Sequence, residues 1–411
     1  MSQAQHSLSK DKINFVLLEG IHDRAAQVIG KAGYQNLETR SGALDDDELI
    51  DAIKDAHFLG IRSRTKLSDA LLDQAPKLTA IGCFCIGTDQ VQLEAARRRG
   101  IPVFNAPYAN TRSVAELVLA EIIYLMRGIS AKNMAAHRGE WMKTAVGSHE
   151  VRGKVLGIVG YGHIGSQLGI LAEGLGMKVV YHDIVDKLPL GNAEALDSLD
   201  AVLEAADVVS LHVPDTELTH NLIGANELGK TRPGAHLINA SRGKVVDIDA
   251  LAGSLRTGHT GGAAIDVFPV EPSGADAIFQ SELRGMDNVI LTPHIGGSTR
   301  EAQENIALDV AAKMVRYSDN GSTMGAVNFP QVTLPDQAGA RRIMHIHHNE
   351  PGVLQAINGV VSGAGINIVS QYLQTLPDIG YVVMDIEADD TPALVAELGQ
   401  VPSTIRTRFL Y

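Results

Sequence analysis

Short apolar runs alternate with amphipathic helical segments in the N-terminal part of the chain. The runs INFVLLE, HFLGI, LTAIGCFC and IPVFN have strand length, whereas AAQVIGKAG and VQLEAARRRG have the period of a helix. This alternation predicts βα units that build a parallel sheet. The segment TRSVAELVLAEIIYLMRGI then predicts a long helix with Asn110 or Thr111 as its N-cap. Its charged residues Glu116 and Glu121 are expected to be solvated or to make local pairs.

A second βα series begins at VLGIVG and continues through KVVYHD, DVVSLHV, AHLINA, GGAAIDV and NVILTPH. These strands, with helices between them, suffice for a complete doubly wound dinucleotide-binding domain. After Gly296 and Gly297, the helix pattern TREAQENIALDVAAKMVRYSDNG is expected to return to the first domain, which would then be discontinuous in sequence. The stretch NFPQVTLPDQAGA is expected to be a linker, because its prolines and small polar residues interrupt every period.

The C-terminal segment has a different order of elements. RRIMHIH, PGVLQAINGVVSGAG, INIVSQYLQT, GYVVMDIEA, ALVAELGQ and TIRTRFL predict strand, helix, strand, strand, helix and strand, a ferredoxin-like βαββαβ unit. The predicted fold class is therefore α/β, with a doubly wound parallel-sheet dinucleotide-binding domain, a discontinuous flavodoxin-like α/β domain and this C-terminal unit. The expected boundaries are 1–109 and 297–338 for the discontinuous domain and its linker, 110–296 for the nucleotide domain, and 339–411 for the C-terminal domain.

Composition narrows the functional classes. The 411 residues carry a formal charge of -13, whose long-range field would repel nucleic acids and anionic membranes, so we expect neither as a partner. The sequence contains no apolar signal core and no apolar run long enough to span a bilayer, which favours a cytoplasmic protein. Cys83 and Cys85 lie in the apolar run IGCFCIG, which suits a buried strand better than a metal site or a disulfide, and no metal site is predicted.

The glycine-rich motif GYGHIG directly follows the strand VLGIVG and opens a helix. Gly160 would permit the tight turn, Gly162 would let a pyrophosphate approach the backbone, and Gly165 would allow close packing of the helix on the sheet. The next strand ends in Asp183, where a carboxylate would accept hydrogen bonds from ribose hydroxyls and repel a 2'-phosphate. The sequence therefore predicts NAD rather than NADP as the cofactor.

Charged groups follow three later strands, in the segments NASRG, DVFPVEP and TPHIGG. Because the carboxyl ends of the strands line the ligand crevice of a doubly wound sheet, we expect these segments to meet there. Oxidation of a 2-hydroxy acid needs a base for the hydroxyl proton and a cation for the carboxylate, which a carboxylate-paired histidine and an arginine can supply. Taken singly, Arg242, Glu271 and His294 could each be an ordinary surface, turn or strand-end residue.

The motifs GYGHIG, NASRG, IDVFPVEP and TPHIGGST occur in the order and spacing of the D-isomer-specific 2-hydroxy-acid dehydrogenases. Over essentially its whole length, the chain resembles the bacterial branch of that family that carries a C-terminal ACT domain and acts on 3-phosphoglycerate. The resemblance implies NAD-dependent oxidation of D-3-phosphoglycerate to 3-phosphohydroxypyruvate, the first step of the phosphorylated route to L-serine, with feedback inhibition by L-serine. It also implies a homotetramer held by nucleotide-domain and ACT-domain contacts, and the segment with Trp141 and Lys143 resembles a family segment at a subunit contact.

The resemblance also implies residue roles. His294 would be the acid/base, Glu271 its partner, and Arg242 the clamp for the substrate carboxylate and carbonyl. The cofactor contacts that it implies are Gly160, Gly162, His163, Ile164, Gly165, Asp183, His212, Ala240, Ser241, Arg242, Asp266, His294, Ile295, Gly296 and Gly297. The substrate contacts that it implies are Arg62, Ser63, Asn110 and Gln303.

A phosphorylated substrate requires cations and amide donors, and the segment GIRSRT, which closes the strand HFLGI, is expected to provide both. A solvated pair of arginines is the alternative interpretation of this segment. A related dehydrogenase acting on glycerate or hydroxypyruvate would share the catalytic residues, as would a side activity that reduces 2-oxoglutarate to 2-hydroxyglutarate. An NAD-sensing co-repressor is a further alternative, against which the C-terminal domain counts.

By resemblance to serine-binding ACT domains, His347 and Asn349 of one subunit and Asn367 of its neighbour would hold L-serine. Amides and an imidazole can satisfy an ammonium and a carboxylate without a large net charge. The alternative is that the HIHHN turn only connects a strand to a helix. The resembling enzymes carry paired glycines before the regulatory domain, whereas this chain has Ala338, Gly339 and Ala340, which predicts a stiffer hinge and altered coupling.

Overall fold

The computed structural model describes residues 8–272, 278–335, 341–387 and 392–410. The chain forms two compact units, one made of 1–109 with 303–411 and the other made of 110–302. Residues 338–340, for which a stiff hinge was predicted, lie outside the described residues. No helix among the described residues combines the length and the apolar character needed to cross a membrane.

A five-stranded parallel sheet forms the first part of unit 1, in the order β2-β1-β3-β4-β5. The alternation of apolar runs and helical segments predicted this arrangement, although the three-residue β2 was not predicted. The strands are β1 (Phe15–Leu17), β2 (Leu37–Thr39), β3 (Phe58–Ile61), β4 (Ala80–Cys83) and β5 (Val103–Phe104). The helices are α1 (Arg24–Lys31), α2 (Asp46–Ile53), α3 (Asp69–Asp73) and α4 (Leu93–Arg98), and Lys10–Lys12 form a short 3-10 helix.

Unit 2 contains a seven-stranded parallel sheet in the order β12-β11-β10-β9-β6-β7-β8. The chain order reverses between β6 and β9, which is where doubly wound sheets form their ligand crevice. The strands are β6 (Val155–Val159), β7 (Lys178–His182), β8 (Glu194–Ala195), β9 (Val208–Leu211), β10 (His236–Asn239), β11 (Gly262–Ile265) and β12 (Val289–Leu291). The helices are α5 (Thr111–Arg127), α6 (Ile129–His137), α7 (His163–Gly174), α8 (Leu199–Ala205), α9 (Ala225–Lys230) and α10 (Ile248–Thr257), with a short 3-10 helix at Gly243–Val245. Six of these strands were predicted, and the two-residue edge strand β8 was not.

The expectation for Glu121 on helix α5 is wrong. Glu116 is exposed and pairs with Arg112 at 2.5 Å, as expected, but Glu121 is only 4% exposed. Both of its carboxylate oxygens are buried without a hydrogen-bond partner among the described residues. Position 121 follows Val118 by three residues and therefore faces the core with it. Burial, and secondarily the charge of Asp266, raise the pKa of Glu121 to about 8.

The long helix α11 (Arg300–Asn320) packs on the first sheet through Val310, Met314 and Tyr317, which are fully buried. A Cβ at Gly82 of β4 would lie 2.8 Å from Val310 and would also overlap the sulfur of Met314, so this close approach requires glycine there.

The C-terminal part of unit 1 is the predicted βαββαβ unit. Its antiparallel sheet has the order β14-β15-β13-β16. Ile343 of β13 packs beneath the helices, whereas Met344 and Ile346 on the opposite face join the core that contains Phe104 and Tyr317. Because both faces of the sheet are covered, six of the eight residues of β13 are buried. The elements are β13 (Arg341–His348), α12 (Val353–Gly363), β14 (Asn367–Thr375), β15 (Ile379–Glu387), α13 (Pro392–Leu398) and β16 (Thr404–Leu410).

The stretch predicted to be a linker is packed over most of its described length. Residues 328–335 form neither helix nor strand, as the interrupted period indicated. Phe329, Val332 and Leu334 nevertheless lie in the core of unit 1, and the side chain of Asn328 accepts a 2.8 Å hydrogen bond from the backbone N–H of Val103. The prediction failed because irregular spacing removes a periodic signal without removing apolar side chains that can be buried.

Candidate active site

The glycine-rich loop between β6 and α7 is built as its sequence predicts. Gly160 has φ +90°, and a Cβ there would overlap the backbone carbonyl of His212, so glycine is required. A Cβ at Gly165 would overlap the carbonyl of Gly160. Gly162 differs, because open space surrounds the position where its Cβ would stand, at the N-terminus of the twelve-residue helix α7. A pyrophosphate could approach the backbone at this point, where the helix dipole favours an anion.

Asp183 follows β7, and its carboxylate is held by the backbone around it. Oδ2 accepts a 2.8 Å hydrogen bond from the N–H of Tyr161, and Oδ1 accepts a 3.0 Å bond from the N–H of Val185. These bonds tie the carboxylate to the glycine-rich loop and leave lone pairs that can accept ribose hydroxyls. Residues 184–186 contain no basic side chain that could bind a 2'-phosphate.

His212, after β9, lies against the same loop. Its Nε2 is 2.9 Å from Ser210 Oγ, and its Nδ1 is buried without a hydrogen-bond partner in the described part of the chain. Burial lowers the pKa of His212 to about 4, so the ring is neutral at physiological pH. A neutral imidazole with an unsatisfied ring nitrogen fits beside a polar, uncharged part of a cofactor.

The NASRG loop after β10 is organised by Asn239. This side chain is fully buried, and its Oδ1 accepts bonds from the backbone N–H of Ser241 at 3.1 Å and from Ser241 Oγ at 2.8 Å. Its Nδ2 donates to the carbonyl of Arg242 at 2.9 Å. Arg242 Nη1 donates to the Ser241 carbonyl at 2.8 Å, and no carboxylate forms an ion pair with the guanidinium among the described residues. The arginine therefore retains donors for a bound carboxylate.

Asp266, at the end of β11, anchors the loop that carries the candidate base. Its Oδ1 accepts from Thr292 Oγ1 at 2.6 Å and from the Ile295 N–H at 2.8 Å, and its Oδ2 accepts from the Gly296 N–H at 2.8 Å. The backbone N–H of His294 also donates to the Asp266 carbonyl at 2.8 Å. The predicted cofactor contact Asp266 thus fixes the whole turn from 292 to 296.

His294 and Glu271, the predicted acid/base and its partner, are in direct contact. The Nδ1–H of His294 donates to the Glu271 carboxylate, at 3.0 Å from Oε1 and 2.9 Å from Oε2. The hydrogen bond to Glu271 raises the pKa of His294, and the histidine in return lowers the pKa of Glu271 against the opposing effect of burial. Half of the His294 side chain is exposed, and the bond at Nδ1 leaves Nε2 for a ligand.

The backbone at His294 is unusual. Its φ of +55° lies in the left-handed region, which a non-glycine residue occupies only when its surroundings impose it. Here the hydrogen bonds to Asp266 hold the turn, and Glu271 fixes the ring.

Gly243 brings two of the predicted segments together. A Cβ at Gly243 would overlap the backbone at Phe268 and Pro269, so the NASRG loop lies directly on the DVFPVEP loop. The charge of Arg242 consequently acts on both His294 and Glu271. The arrangement brings a carboxylate-paired imidazole and a guanidinium together at the edge of the sheet where its strands end, the same edge that carries the glycine-rich loop.

The residues predicted to contact the substrate lie in both units. Arg62 and Ser63 follow β3, and Gln303 lies in the first turn of α11, in unit 1. Asn110, in unit 2, is the N-cap residue of α5; it is buried with its Oδ1 unpartnered in the described structure, and a Cβ at Gly297 would stand 2.6 Å from its Nδ2.

The expectation that the GIRSRT segment supplies amide donors is largely wrong. The backbone N–H groups of Arg62, Arg64 and Thr65 all donate to the carboxylate of Glu19. These three amides therefore face Glu19 and are not available to a substrate. Sequence analysis missed Glu19 because its partners lie more than forty residues away.

The residues predicted to bind L-serine do not converge within one chain. His347 is 3% exposed and lies opposite Gly380 of β15. Asn349 donates to the Leu376 carbonyl near one end of the sheet, whereas Asn367 begins β14 at the opposite end. Asn349 and Asn367 thus lie far apart within one chain, and the prediction takes them from two different subunits.

Two family models match the chain. The D-isomer specific 2-hydroxyacid dehydrogenase NAD binding domain matches residues 119–296, and the AHAS small subunit-like ACT domain matches residues 343–406. These matches agree with the predicted nucleotide-binding and C-terminal domains.

Full-length relatives are also similar to the chain. The D-3-phosphoglycerate dehydrogenase of Haemophilus influenzae is 58% identical over 405 residues, which cover 98% of this chain and 99% of the relative. The enzyme of the same name from Escherichia coli strain K12 is 58% identical over 410 residues, 99% of this chain and 100% of the relative. Among solved structures, the D-lactate dehydrogenase of Aquifex aeolicus, complexed with NAD and lactic acid, matches with a TM-score of 0.67 at 26% identity and covers 77% of this chain and 100% of its own.

Proposed function

The chain belongs to the D-3-phosphoglycerate dehydrogenase family of the D-isomer-specific 2-hydroxyacid dehydrogenases, and we propose that it oxidises D-3-phosphoglycerate to 3-phosphohydroxypyruvate with NAD. The observation that carries the proposal is the His294–Glu271 pair, with Arg242 beside it and the glycine-rich loop in the same unit. An NAD-dependent oxidation of a 2-hydroxy acid needs these groups together.

His294 is the proposed base. Its Nε2 takes the proton of the C2 hydroxyl while hydride leaves C2, which yields the 2-oxo acid. Glu271 holds the ring through Nδ1 and stabilises the imidazolium that forms. In the reverse direction, the same imidazolium returns the proton to the carbonyl oxygen.

Arg242 is proposed to bind the substrate carboxylate and to polarise the oxygen at C2. Its guanidinium pairs with no carboxylate in the described structure, so its planar donors can bind an incoming carboxylate in a bidentate manner.

NAD, when bound, supplies the hydride acceptor. Gly162 with His163 and Ile164 is proposed to hold its pyrophosphate, Asp183 its adenosine ribose, and Asp266 with His212 its nicotinamide side. Further proposed contacts come from the two loops that follow β10 and β12, namely Ala240, Ser241, Ile295, Gly296 and Gly297. The open space at Gly162 and the orphaned ring nitrogen of His212 support this assignment.

The side chains of Arg62 and Ser63 are proposed to bind the phosphate end of the substrate, with Asn110 and Gln303 as further contacts. Ser63 is exposed and Arg62 is partly exposed, in keeping with a role in binding a ligand.

The test of this function is NADH formation with D-3-phosphoglycerate in the presence of a trap for the 2-oxo product, compared with D-glycerate and D-lactate. We expect kcat/KM to be far highest for the phosphorylated acid. A preference for D-glycerate would instead place the chain with a related dehydrogenase. In the reverse direction, reduction of 2-oxoglutarate by NADH would establish the side activity.

We further propose that L-serine binds the C-terminal domain at an interface between two copies, through His347 and Asn349 of one and Asn367 of the other. The ACT match and the opposite placement of Asn349 and Asn367 within one chain support this proposal. Calorimetry with L-serine, beside the activity assay, tests it. Binding that Asn349→Ala and Asn367→Ala do not weaken would contradict the residue assignment, and no binding at millimolar concentration would contradict the site.

The homotetramer that the family resemblance implies is proposed for this chain, and two exposed apolar areas support it. Trp141 and Val146 are exposed in unit 2, and Val369 and Leu373 are exposed on β14, an edge strand of the C-terminal sheet. Sedimentation equilibrium should give four times the chain mass of 43.8 kDa. A monomer mass at micromolar concentration would contradict the assembly.

A further inference from the structure

The carboxylate of Glu19 is enclosed by the loop that follows β3. Glu19 comes two residues after β1, the neighbour of β3, and is 7% exposed. Its Oε1 accepts from the N–H groups of Arg62 at 3.1 Å and Thr65 at 2.9 Å, and its Oε2 accepts from the N–H of Arg64 at 2.9 Å. One buried carboxylate therefore accepts hydrogen bonds from three of the four backbone amides between residues 62 and 65.

The other side of this turn is fixed as well. Gln90 Nε2 donates a 2.6 Å hydrogen bond to the Arg62 carbonyl. Glu19 itself has φ +61°, in the left-handed region that a glutamate occupies only when its surroundings impose it. Strain retained at such a residue is typical of positions that organise a functional site.

The geometry decides which groups of the turn can meet a phosphate. Because the amides of Arg62, Arg64 and Thr65 point at Glu19, an anion cannot use them. The Arg62 guanidinium donates from Nη1 to the Glu19 backbone carbonyl at 3.5 Å, which ties this side chain to Glu19 as well, and the side chains of Ser63 and Arg64 are exposed. Guanidinium groups bind a phosphate well only when they are held in place, since ordering them otherwise costs side-chain entropy.

We propose that Glu19 is a positioning residue that makes the enzyme selective for a phosphorylated substrate by holding the turn of Arg62, Ser63 and Arg64. This inference rests on the proposed function, because it assumes that the substrate carries a phosphate. Glu19 acts on the reaction through the turn and not by contact with the reacting atoms.

The test compares two substrates that differ only in the phosphate, 3-phosphohydroxypyruvate and hydroxypyruvate, in reduction by NADH with the full-length enzyme. In Glu19→Gln, one carboxylate oxygen becomes an NH2 group that faces backbone donors, so the turn should shift. We expect KM for 3-phosphohydroxypyruvate to rise about 10- to 100-fold with kcat changed less than about 3-fold. For hydroxypyruvate, kcat/KM should stay within about 3-fold of the wild-type value, so the selectivity for phosphate falls.

Two further variants make the result decisive. Gln90→Ala loosens the same turn from its carbonyl side and should lower the selectivity in the same direction, which provides the test if Glu19→Gln does not fold. Glu94→Gln removes an exposed carboxylate of α4 in the same unit and should leave both substrates unaffected.

Equal losses for the two substrates in Glu19→Gln, or a loss in kcat rather than KM, would overturn the inference, because a general structural role predicts that outcome. Unchanged selectivity for the phosphorylated substrate in Glu19→Gln would overturn it as well. If Glu19→Gln does not fold, unchanged selectivity in Gln90→Ala would do the same. If the wild-type enzyme does not prefer 3-phosphohydroxypyruvate, the proposed function itself fails, and this result is distinguishable because it requires no variant.

Discussion

Glu121 gives the stability of the nucleotide-binding unit a pH dependence that one substitution should remove. The carboxyl group is 4% exposed, and its oxygens have no hydrogen-bond partner among the described residues. Burial raises its pKa to about 8 from the ordinary value of 4.5. The folded state therefore keeps the proton between these two pH values, whereas the unfolded state releases it.

The difference between the folded and unfolded pKa values of Glu121 sets both the sign and the size of its effect on stability. The contribution of Glu121 to stability is complete below the unfolded pKa of 4.5 and is lost as the pH rises through the folded value. Each pH unit in this window removes about 1.4 kcal/mol, so the loss at pH 7 reaches about 3 kcal/mol. Glutamine has no proton to release, so Glu121→Gln should lack this slope.

Urea unfolding of both proteins at pH 5.5 and pH 7.5, followed by circular dichroism, measures the effect. The variant should gain stability relative to the wild type by about 2 to 3 kcal/mol between the two pH values. Glu116→Gln is the matched control, because Glu116 lies on the same helix and is exposed. A difference between Glu121→Gln and the wild type that does not change with pH would refute the assignment of a buried, protonated carboxyl group.

Three further predictions concern the active site. Glu271→Gln removes the carboxylate whose hydrogen bond and charge raise the pKa of His294, so the acidic limb of the pH profile for oxidation should move to lower pH; a shift to higher pH would contradict this. Asp183→Asn should narrow the preference for NAD over NADP, and comparable kcat/KM for both cofactors in the wild type would show that the ribose assignment is wrong. Gly162→Ala should leave the melting temperature unchanged, because the added Cβ meets open space, but it should weaken NADH binding in a fluorescence titration. Gly160→Ala, in contrast, should lower both the melting temperature and the affinity for NADH. Equal NADH affinity in Gly162→Ala and the wild type would contradict the pyrophosphate site.

The periodic pattern of the sequence predicted the long elements well, because strands and helices of several residues leave a hydrophobic signal. It missed β2 and β8, which are three and two residues long and have mostly exposed side chains. It also placed Glu121 on the surface, since charge suggested solvation although the helical period put this residue on the buried face. The two signals conflicted, and the period was the correct one.

The active-site motifs were readable because each is local. GYGHIG places its glycines within one turn, and NASRG contains both Arg242 and the asparagine that holds it. Contacts between distant segments were less accessible to sequence reasoning. The pairing of β1 with β3 brings Glu19 to its turn, and no local pattern marks that carboxylate as an acceptor of backbone amides.

His294 is the residue proposed to transfer the proton in the oxidation of D-3-phosphoglycerate. Turnover of His294→Ala, measured as NADH formation beside the dissociation constant for NADH, tests it most directly. We expect kcat to fall by about two to four orders of magnitude while the NADH dissociation constant changes little, because the glycine-rich loop does not depend on this side chain. Turnover close to that of the wild type would show that His294 is not the acid/base.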